Sequence, residues 1–98
     1  MLYHAARRSA RASIAAGGLQ ARDPQVAGNL PAVYAFTDAR WCPWHAKWYR
    51  EAFDVWAIDA TDLPVVADTT HEAMGGVAIL ADVPAERCTF VQALPERP

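Results

Sequence analysis

The sequence predicts a small α+β domain, because an alanine-rich and a tryptophan-rich helical segment are interspersed among several short β-prone segments. Ninety-eight residues suit one domain, so we assign residues 1–98 to a single domain. Hydrophobic residues make up 53% of the chain, which is enough for a packed core and argues against disorder. The segment order β, α, β, α and then several β favours α+β over a regular βαβ array.

The first third of the chain contains two predicted strands around a helix. Residues 2–5 are β-prone, and residues 7–16 are predicted to be helical because alanine is the best helix former. The two glycines at 17–18 should end this helix, since glycine readily adopts the left-handed conformation that follows a helix. Residues 20–31 carry turn signals and are predicted to be a loop, and residues 32–36 predict the second strand.

An aromatic stripe predicts the second helix. Side chains at the spacing of one helical face are Trp41, Trp44, His45, Trp48, Tyr49 and Ala52. We expect the regular helix to start at Pro43, since proline is tolerated in a first turn. Aromatic side chains at this spacing usually face inward, so the three tryptophans of the stripe are predicted to lie in the core.

The second half of the chain is predicted to consist mostly of strands. Residues 53–59 alternate between two faces, and residues 65–66 predict a short edge strand behind a proline. Residues 76–80 and 89–91 predict two further strands. The polar residues 67–75 are predicted to form a surface loop.

Charge is distributed unevenly along the chain, although the net charge is only −2. Residues 1–22 contain four arginines and no acid, whereas residues 51–98 contain nine acids and two arginines. The acidic second half argues against a protein that wraps nucleic acid over its whole surface. The arginines are explained either by a solvated helix face or by a phosphate-binding surface. Four aspartates are expected in turns or on exposed strand faces: Asp54, Asp59, Asp62 and Asp68.

Five short motifs occur in an order that resembles one known family. Residues 2–5 read Leu-Tyr-His-Ala and precede a helix that ends Ile-Ala-Ala-Gly-Gly-Leu at residues 14–19. Val33-Tyr34 then precedes a helix, residues 55–59 read Val-Trp-Ala-Ile-Asp, and residues 83–88 read Val-Pro-Ala-Glu-Arg-Cys. Over nearly its whole length the chain resembles ADP-ribosyltransferase-like domains. That group includes tRNA 2′-phosphotransferases, rifampicin ADP-ribosyltransferases and DNA-modifying toxins.

The resemblance implies a small split β-sheet, mixed or antiparallel, with two main helices and a cleft that grips NAD or a related ADP-ribose or phosphate group. It implies that His4 hydrogen-bonds the adenosine ribose and that Tyr34 stacks on the nicotinamide ring. Cleavage of the nicotinamide–ribose bond passes through an oxocarbenium-like state, which a nearby carboxylate stabilises. The strand predicted at residues 76–80 has no acid, so the candidate carboxylates are Glu72 before it and Asp82 after it. We assign the catalytic role to Glu72.

The candidate cofactor contacts are side chains of the first two motifs and the aromatic helix: His4, Ala5, Arg7, Tyr34, Trp44 and His45. No metal site is predicted, because Cys42 and His45 offer only two ligands at helical spacing. Cys42 and Cys88 are expected to be free thiols, and Cys42 is expected to gain thiolate character at a helix start.

The predicted function is NAD-dependent ADP-ribosyl or phosphoryl transfer to a nucleic acid, a protein or a small molecule. One alternative is a catalytically inactive module of the same fold that binds a nucleotide, an ADP-ribose group or a partner. Another is an interaction protein whose aromatic helix docks on a partner. We expect a cytoplasmic protein without a membrane partner, since no secretory leader or span of about 18 apolar residues is evident. A homodimer and a phage or bacterial accessory role are further expectations.

Overall fold

A computed structural model describes residues 1–22 and 31–95, and its centre is a six-stranded antiparallel sheet. The strands are β1 (Leu2–Arg7), β2 (Val33–Phe36), β3 (Phe53–Ile58), β4 (Val65–Ala67), β5 (Gly76–Ile79) and β6 (Cys88–Ala93). The α-helices are α1 (Arg11–Gly17) and α2 (Trp41–Ala46), and 3-10 turns span Arg8–Ala10, Glu72–Met74 and Ala85–Arg87. The predicted α+β class is confirmed. No helix within the described ranges is long and apolar enough to cross a membrane.

The strands lie in the order β4-β5-β2-β1-β3-β6, and the joint at the middle of the sheet, where β2 pairs with β1, is short. Strands β1 and β3 pair along their full length, from Leu2 opposite Ile58 to Arg7 opposite Phe53. Strands β1 and β2 pair at a single position, Tyr3 opposite Phe36. The sheet therefore consists of two three-stranded halves that meet at one residue pair.

Strand β3 is buried along its whole length because both faces of the sheet are covered. Its alternation, which the sequence predicts, assigns side chains to two different cores. Phe53 and Val55 pack with Phe36, Cys42 and Leu94. On the other face Trp56 and Ile58 belong to the larger core, with Ala6, Ile14, Leu19, Val33, Ala35, Ile79 and Val83.

Asp54 lies in this buried strand and has no exposed side-chain surface. Its two carboxylate oxygens accept hydrogen bonds from Arg11 Nε and Arg11 Nη2, both at 2.8 Å, and Arg8 Nε lies 3.4 Å away. The hydrogen bonds from Arg11 hold the pKa of Asp54 below its usual value. The expectation of an exposed strand face for Asp54 is wrong, because the two arginines compensate a buried charge.

The segment formed by the first 3-10 turn and helix α1 is fixed at both ends by contacts distant in sequence. Arg8 Nη2 donates a 2.8 Å hydrogen bond to the Leu94 carbonyl, beside the bond to Asp54. At the other end Gly18 has φ +77°, and a Cβ there would collide with the Val83 carbonyl oxygen. Leu19 and Val83 then exchange backbone hydrogen bonds of 2.9 and 2.7 Å. The predicted glycine stop is confirmed, and residues 23–30 of the predicted loop lie outside the described residues.

Helix α2 ends earlier than the aromatic stripe predicts. It begins at Trp41, has Pro43 in its first turn, and ends at Ala46. Beyond it, the N–H groups of Trp48 and Tyr49 bond to carbonyls only three residues back, so the side chains no longer follow the helical period. Trp48 is 69% exposed, and its predicted place in the core is wrong. Trp41 and Trp44 are half-buried.

Both cysteines are free thiols, as expected. Cys42 is fully buried in the first turn of α2, and burial raises the pKa of its thiol to about 11. The expected thiolate character of Cys42 is therefore wrong, because removal from water disfavours the charged form.

We predict that Asp54→Asn lowers the free energy of unfolding by about 1–3 kcal/mol, since two arginines lose their anionic partner. The loss stays below that of a fully buried pair because the Arg11 side chain is 45% exposed. Urea unfolding measures it. Glu51→Gln is the matched control, since Glu51 and Arg7 form an exposed pair of 2.9 Å whose loss costs less than about 1 kcal/mol. Equal losses in the two variants would contradict the assigned role of Asp54.

We predict that replacing Trp56 by alanine lowers the stability of the fold much more than replacing Trp48. Trp56 is 3% exposed, so Trp56→Ala should cost about 3–5 kcal/mol, as for other deleted core aromatics. Trp48→Ala should change stability by less than about 0.5 kcal/mol, since Trp48 is a surface residue. Thermal unfolding of both variants checks the prediction, and a large loss for Trp48→Ala would place this side chain in an interface.

Candidate functional site

All three histidines of the chain line one cleft of about 750 Å³. The cleft is bounded by β1, α1, β2 and the end of α2, together with the loop that follows β4. We call it the histidine cleft and define it by six side chains: His4, Tyr34, His45, Tyr49, Asp68 and His71. These residues are far apart in sequence, and the fold brings them to the joint between the two halves of the sheet.

His4 bridges the gap where β1 and β2 separate. Continuing their register from Tyr3 opposite Phe36 would place Ala5 opposite Tyr34, but no pairing follows there. Instead His4 Nδ1 lies 2.6 Å from the Tyr34 carbonyl oxygen. A carbonyl can only accept, so Nδ1 carries the proton and the neutral ring keeps Nε2 as an acceptor. Burial lowers the pKa of His4, and the bond to the carbonyl only partly opposes this, so the ring is neutral at pH 7.

Tyr34 lies on the other side of the joint, on β2, opposite Ala78 of β5. It is half-buried. Burial raises the pKa of its phenol, and the negative charge of Asp68 raises it further. The phenol is therefore protonated at neutral pH and offers an apolar ring with a polar tip.

His71 and Asp68 are within hydrogen-bond distance of each other in the loop between β4 and β5. His71 Nδ1 lies 2.8 Å from Asp68 Oδ2, with side-chain exposures of 32% and 11%. The second oxygen of Asp68, Oδ1, accepts the backbone N–H of Thr70 at 3.1 Å. Both oxygens of this carboxylate thus have partners, which fixes its orientation and that of the histidine ring.

His45 contributes from the last turn of α2, inside an aromatic group. Its ring centroid lies 5.3 Å from that of Tyr49, 6.2 Å from Phe53 and 6.3 Å from Phe36. Burial lowers the pKa of His45, and the charges of His4 and His71 lower it further. His45 is therefore a second neutral imidazole at pH 7.

Most of the site residues predicted from sequence come together here. His4, Ala5, Arg7, Tyr34 and His45 all line the cleft. Two others are not among the described lining residues. The ring of Trp44 lies 6.1 Å from that of His71, which does line the cleft, in an edge-to-face arrangement. Glu72 is exposed on the 3-10 turn that follows His71.

The arginines near the amino terminus have mixed roles. Arg8 and Arg11 bind Asp54, so they form neither a simple solvated face nor a free phosphate-binding surface. Arg7 lines the cleft while its guanidinium pairs with Glu51. Arg22 also lines the cleft and is exposed. Arg22 therefore supplies positive charge at this site, whereas the charge of Arg7 is offset by Glu51.

Asp68 and His71 were not predicted from the sequence as site residues. Asp68 was expected in a turn, and its bond to Thr70 does form one, but the same carboxylate also holds His71. The available signal was the Asp-x-x-His spacing within a polar loop, which places the two side chains within reach of each other. Among residues 1–22 and 31–95, no group of three histidine, cysteine or acidic side chains is placed to hold a metal ion.

We predict that the protein loses stability below about pH 6.5. His4 and His45 have folded pKa values below the ordinary 6.5, so the unfolded chain binds more protons once the pH falls under that value. Their contribution is complete above pH 6.5 and is lost as the pH falls toward the folded values. The melting temperature should therefore be several degrees lower at pH 5.5 than at pH 7.5.

Substitution identifies the groups responsible for this change. His4→Gln and His45→Gln should each reduce the difference between the two melting temperatures. Asp54 remains ionised at both pH values, because its pKa is lowered from an ordinary value of 3.8. Equal melting temperatures of the unsubstituted protein at pH 5.5 and 7.5 would contradict the prediction.

Comparison with protein-family models, with curated proteins and with solved structures found no match to this chain.

Proposed function

We propose that the histidine cleft binds an NAD-type dinucleotide and that the protein transfers its ADP-ribosyl group. The observation that carries the proposal is the position of His4 and Tyr34, which flank the cleft from adjacent strands where the two half-sheets separate. These are the two residues to which the family resemblance assigns the adenosine ribose and the nicotinamide. The halves β4-β5-β2 and β1-β3-β6 also suit the split sheet that the resemblance implies.

The size and charge of the cleft suit this class of ligand. Its volume of about 750 Å³ lies within the usual range for small-molecule and cofactor sites. A dinucleotide carries two phosphates, and Arg22 in the cleft lining offers a guanidinium group, which recognises such oxyanions well. Gly17 and Gly18 also line the cleft, and they present backbone without a side chain.

The two flanking side chains offer complementary contacts. His4 Nε2 is a hydrogen-bond acceptor, because the Tyr34 carbonyl occupies Nδ1, and an acceptor is what a ribose hydroxyl needs. The protonated phenol of Tyr34 offers a flat apolar face for the nicotinamide ring. The hydrogen bond between His4 and the Tyr34 backbone links the positions of these two groups.

Asp68 is the carboxylate best placed to support the transfer. An oxocarbenium-like state develops positive charge, which a negative group in a water-poor site stabilises strongly. Asp68 lines the cleft, is 11% exposed and acts electrostatically on Tyr34. Glu72 is exposed and is not among the described residues that line the cleft. We therefore propose that Asp68, and not Glu72, is the catalytic carboxylate.

The second candidate function is binding without transfer. The position of Glu72 favours it, since the carboxylate that we assigned to catalysis from the sequence is not among the described residues of the cleft lining. Both functions share the same ligand, so nicotinamide release separates them.

We predict that NAD and ADP-ribose both bind to the purified protein in isothermal titration and that chromatography detects nicotinamide released from NAD. His4→Ala and Tyr34→Ala should each weaken binding at least about tenfold, since each removes a direct ligand contact worth about 1.4 kcal/mol or more. Glu86→Gln, an exposed change outside the cleft lining, is the control. Circular dichroism verifies that each variant is folded.

The outcomes separate the functions. Binding with release supports an NAD-consuming transferase, and binding without release supports the recognition module. Unchanged binding in both cleft variants would remove His4 and Tyr34 from the site. Absence of binding to either ligand would contradict the proposal and favour phosphotransfer or a protein partner.

A further inference from the structure

We propose that His71, oriented by Asp68, is the general base of the histidine cleft and removes the proton from the hydroxyl group that accepts the ADP-ribosyl group. This inference rests on the proposed function. His71 is the catalytic residue because it touches the reacting hydroxyl, and Asp68 also positions it. The Asp68 carboxylate thus stabilises the positive charge that develops on the ribose and also orients His71.

The contact with Asp68 determines which nitrogen of His71 is available. Asp68 Oδ2 lies 2.8 Å from Nδ1 and, as a carboxylate oxygen, accepts a hydrogen bond. Nδ1 therefore carries the proton, and the neutral ring keeps a lone pair on Nε2. A base needs such a lone pair, and the ring remains accessible because the His71 side chain is 32% exposed.

His71 differs from His4 in its partner, since a carboxylate and not a backbone carbonyl lies against its Nδ1. When an imidazole takes up a proton it becomes cationic, and an adjacent carboxylate stabilises that cation. His4 has a neutral backbone carbonyl on Nδ1, and burial disfavours its charged form. His45 packs among aromatic rings, and burial disfavours its cation as well.

Two glycines hold the loop that carries His71 close to the sheet. A Cβ at Gly76 would lie 2.6 Å from His71 Cβ, so only glycine permits this approach. Gly75 has φ +68°, and its carbonyl accepts the Thr37 N–H at 3.0 Å. Gly76 N–H donates to the His71 carbonyl at 2.9 Å, and Asp68 N–H donates to the Gly76 carbonyl at 3.0 Å.

Aromatic side chains confine the ring itself. The His71 ring lies 6.3 Å from Phe36 at 80° and 6.1 Å from Trp44 at 74°, both edge-to-face geometries. A ring held by one hydrogen bond and two aromatic neighbours has few alternative orientations. A catalytic group needs this restriction, because small displacements of a base reduce the rate strongly.

The proposed step balances in atoms and charge. The acceptor hydroxyl gives its proton to His71 Nε2, and its oxygen forms a bond to C1′ of the nicotinamide ribose. The C1′–N bond breaks, and its electron pair neutralises the pyridinium nitrogen of the departing nicotinamide. His71 then returns the proton to solvent. The co-reactants are an NAD-type dinucleotide and a hydroxyl compound, with water as the simplest acceptor.

The test measures nicotinamide release from NAD in water with the full chain. His71→Ala should lower the turnover number about 10²–10⁴-fold, the usual contribution of a general base, while the affinity for NAD measured by titration changes less than about threefold. Added imidazole should restore part of the activity of His71→Ala, which no purely structural role would allow. Thr69→Ala, an exposed change in the same loop, is the matched control.

A second measurement does not depend on turnover. Nitrogen-15 NMR of the imidazole rings should show His71 of the unsubstituted protein with its proton on Nδ1, and Asp68→Asn should reduce that preference. A proton on Nε2 would overturn the inference. Undiminished release by His71→Ala, or no rescue by imidazole, would also overturn it while leaving the proposed function intact. Absence of release by the unsubstituted protein would instead overturn the transferase function on which the inference rests.

Discussion

The early separation of β1 from β2 is the constraint on which the site depends. In a continuous antiparallel sheet the Tyr34 carbonyl would bond to the adjacent strand, and the space beside it would be filled. Here the strands pair at Tyr3 and Phe36 and then part, so a half-buried carbonyl needs another donor. The imidazole of His4 supplies it. One hydrogen bond thus satisfies the opened backbone, fixes the tautomer of His4 and joins the two halves of the sheet.

The rest of the fold compensates for this opening. A chain of 98 residues buries a modest share of its surface, so a cleft in the middle of its sheet is a serious loss of packing. Strand β3 offsets it by being buried on both faces, which gives the small domain two cores. Asp54 in that strand binds Arg8 and Arg11, and Arg8 also binds the Leu94 carbonyl. These bonds tie the chain between β1 and α1 to β3 and to the end of β6, which stabilises one wall of the cleft.

The sequence predicted the elements with strong local signals and missed the features that depend on distant partners. The strand at Phe53–Ile58 and the glycine stop after α1 follow from alternation and from a single backbone conformation. The prediction that Trp48 lies in the core is wrong because a helical stripe does not indicate where the helix ends. Here the hydrogen-bonding pattern changes after Ala46. The prediction of an exposed position for Asp54 is wrong because alternation of side chains along a strand does not reveal whether both faces of the sheet are covered. An acid inside an apolar strand, opposed by arginines in an acid-free segment, was the available clue.

The dependence on partners distant in sequence also explains which site residues could be predicted. His4 and Tyr34 could be named because each stands in a short motif, whereas Asp68 and His71 belong to a polar loop that folds over the sheet through Gly75 and Gly76. What distinguishes the three histidines is their environment, since the side chain is the same. A backbone carbonyl and burial keep His4 neutral, which suits a group that accepts a hydrogen bond from a bound hydroxyl. Burial among aromatic rings keeps His45 neutral. Asp68 lies 2.8 Å from Nδ1 of His71, which fixes the ring and leaves Nε2 free to accept a proton from a bound hydroxyl.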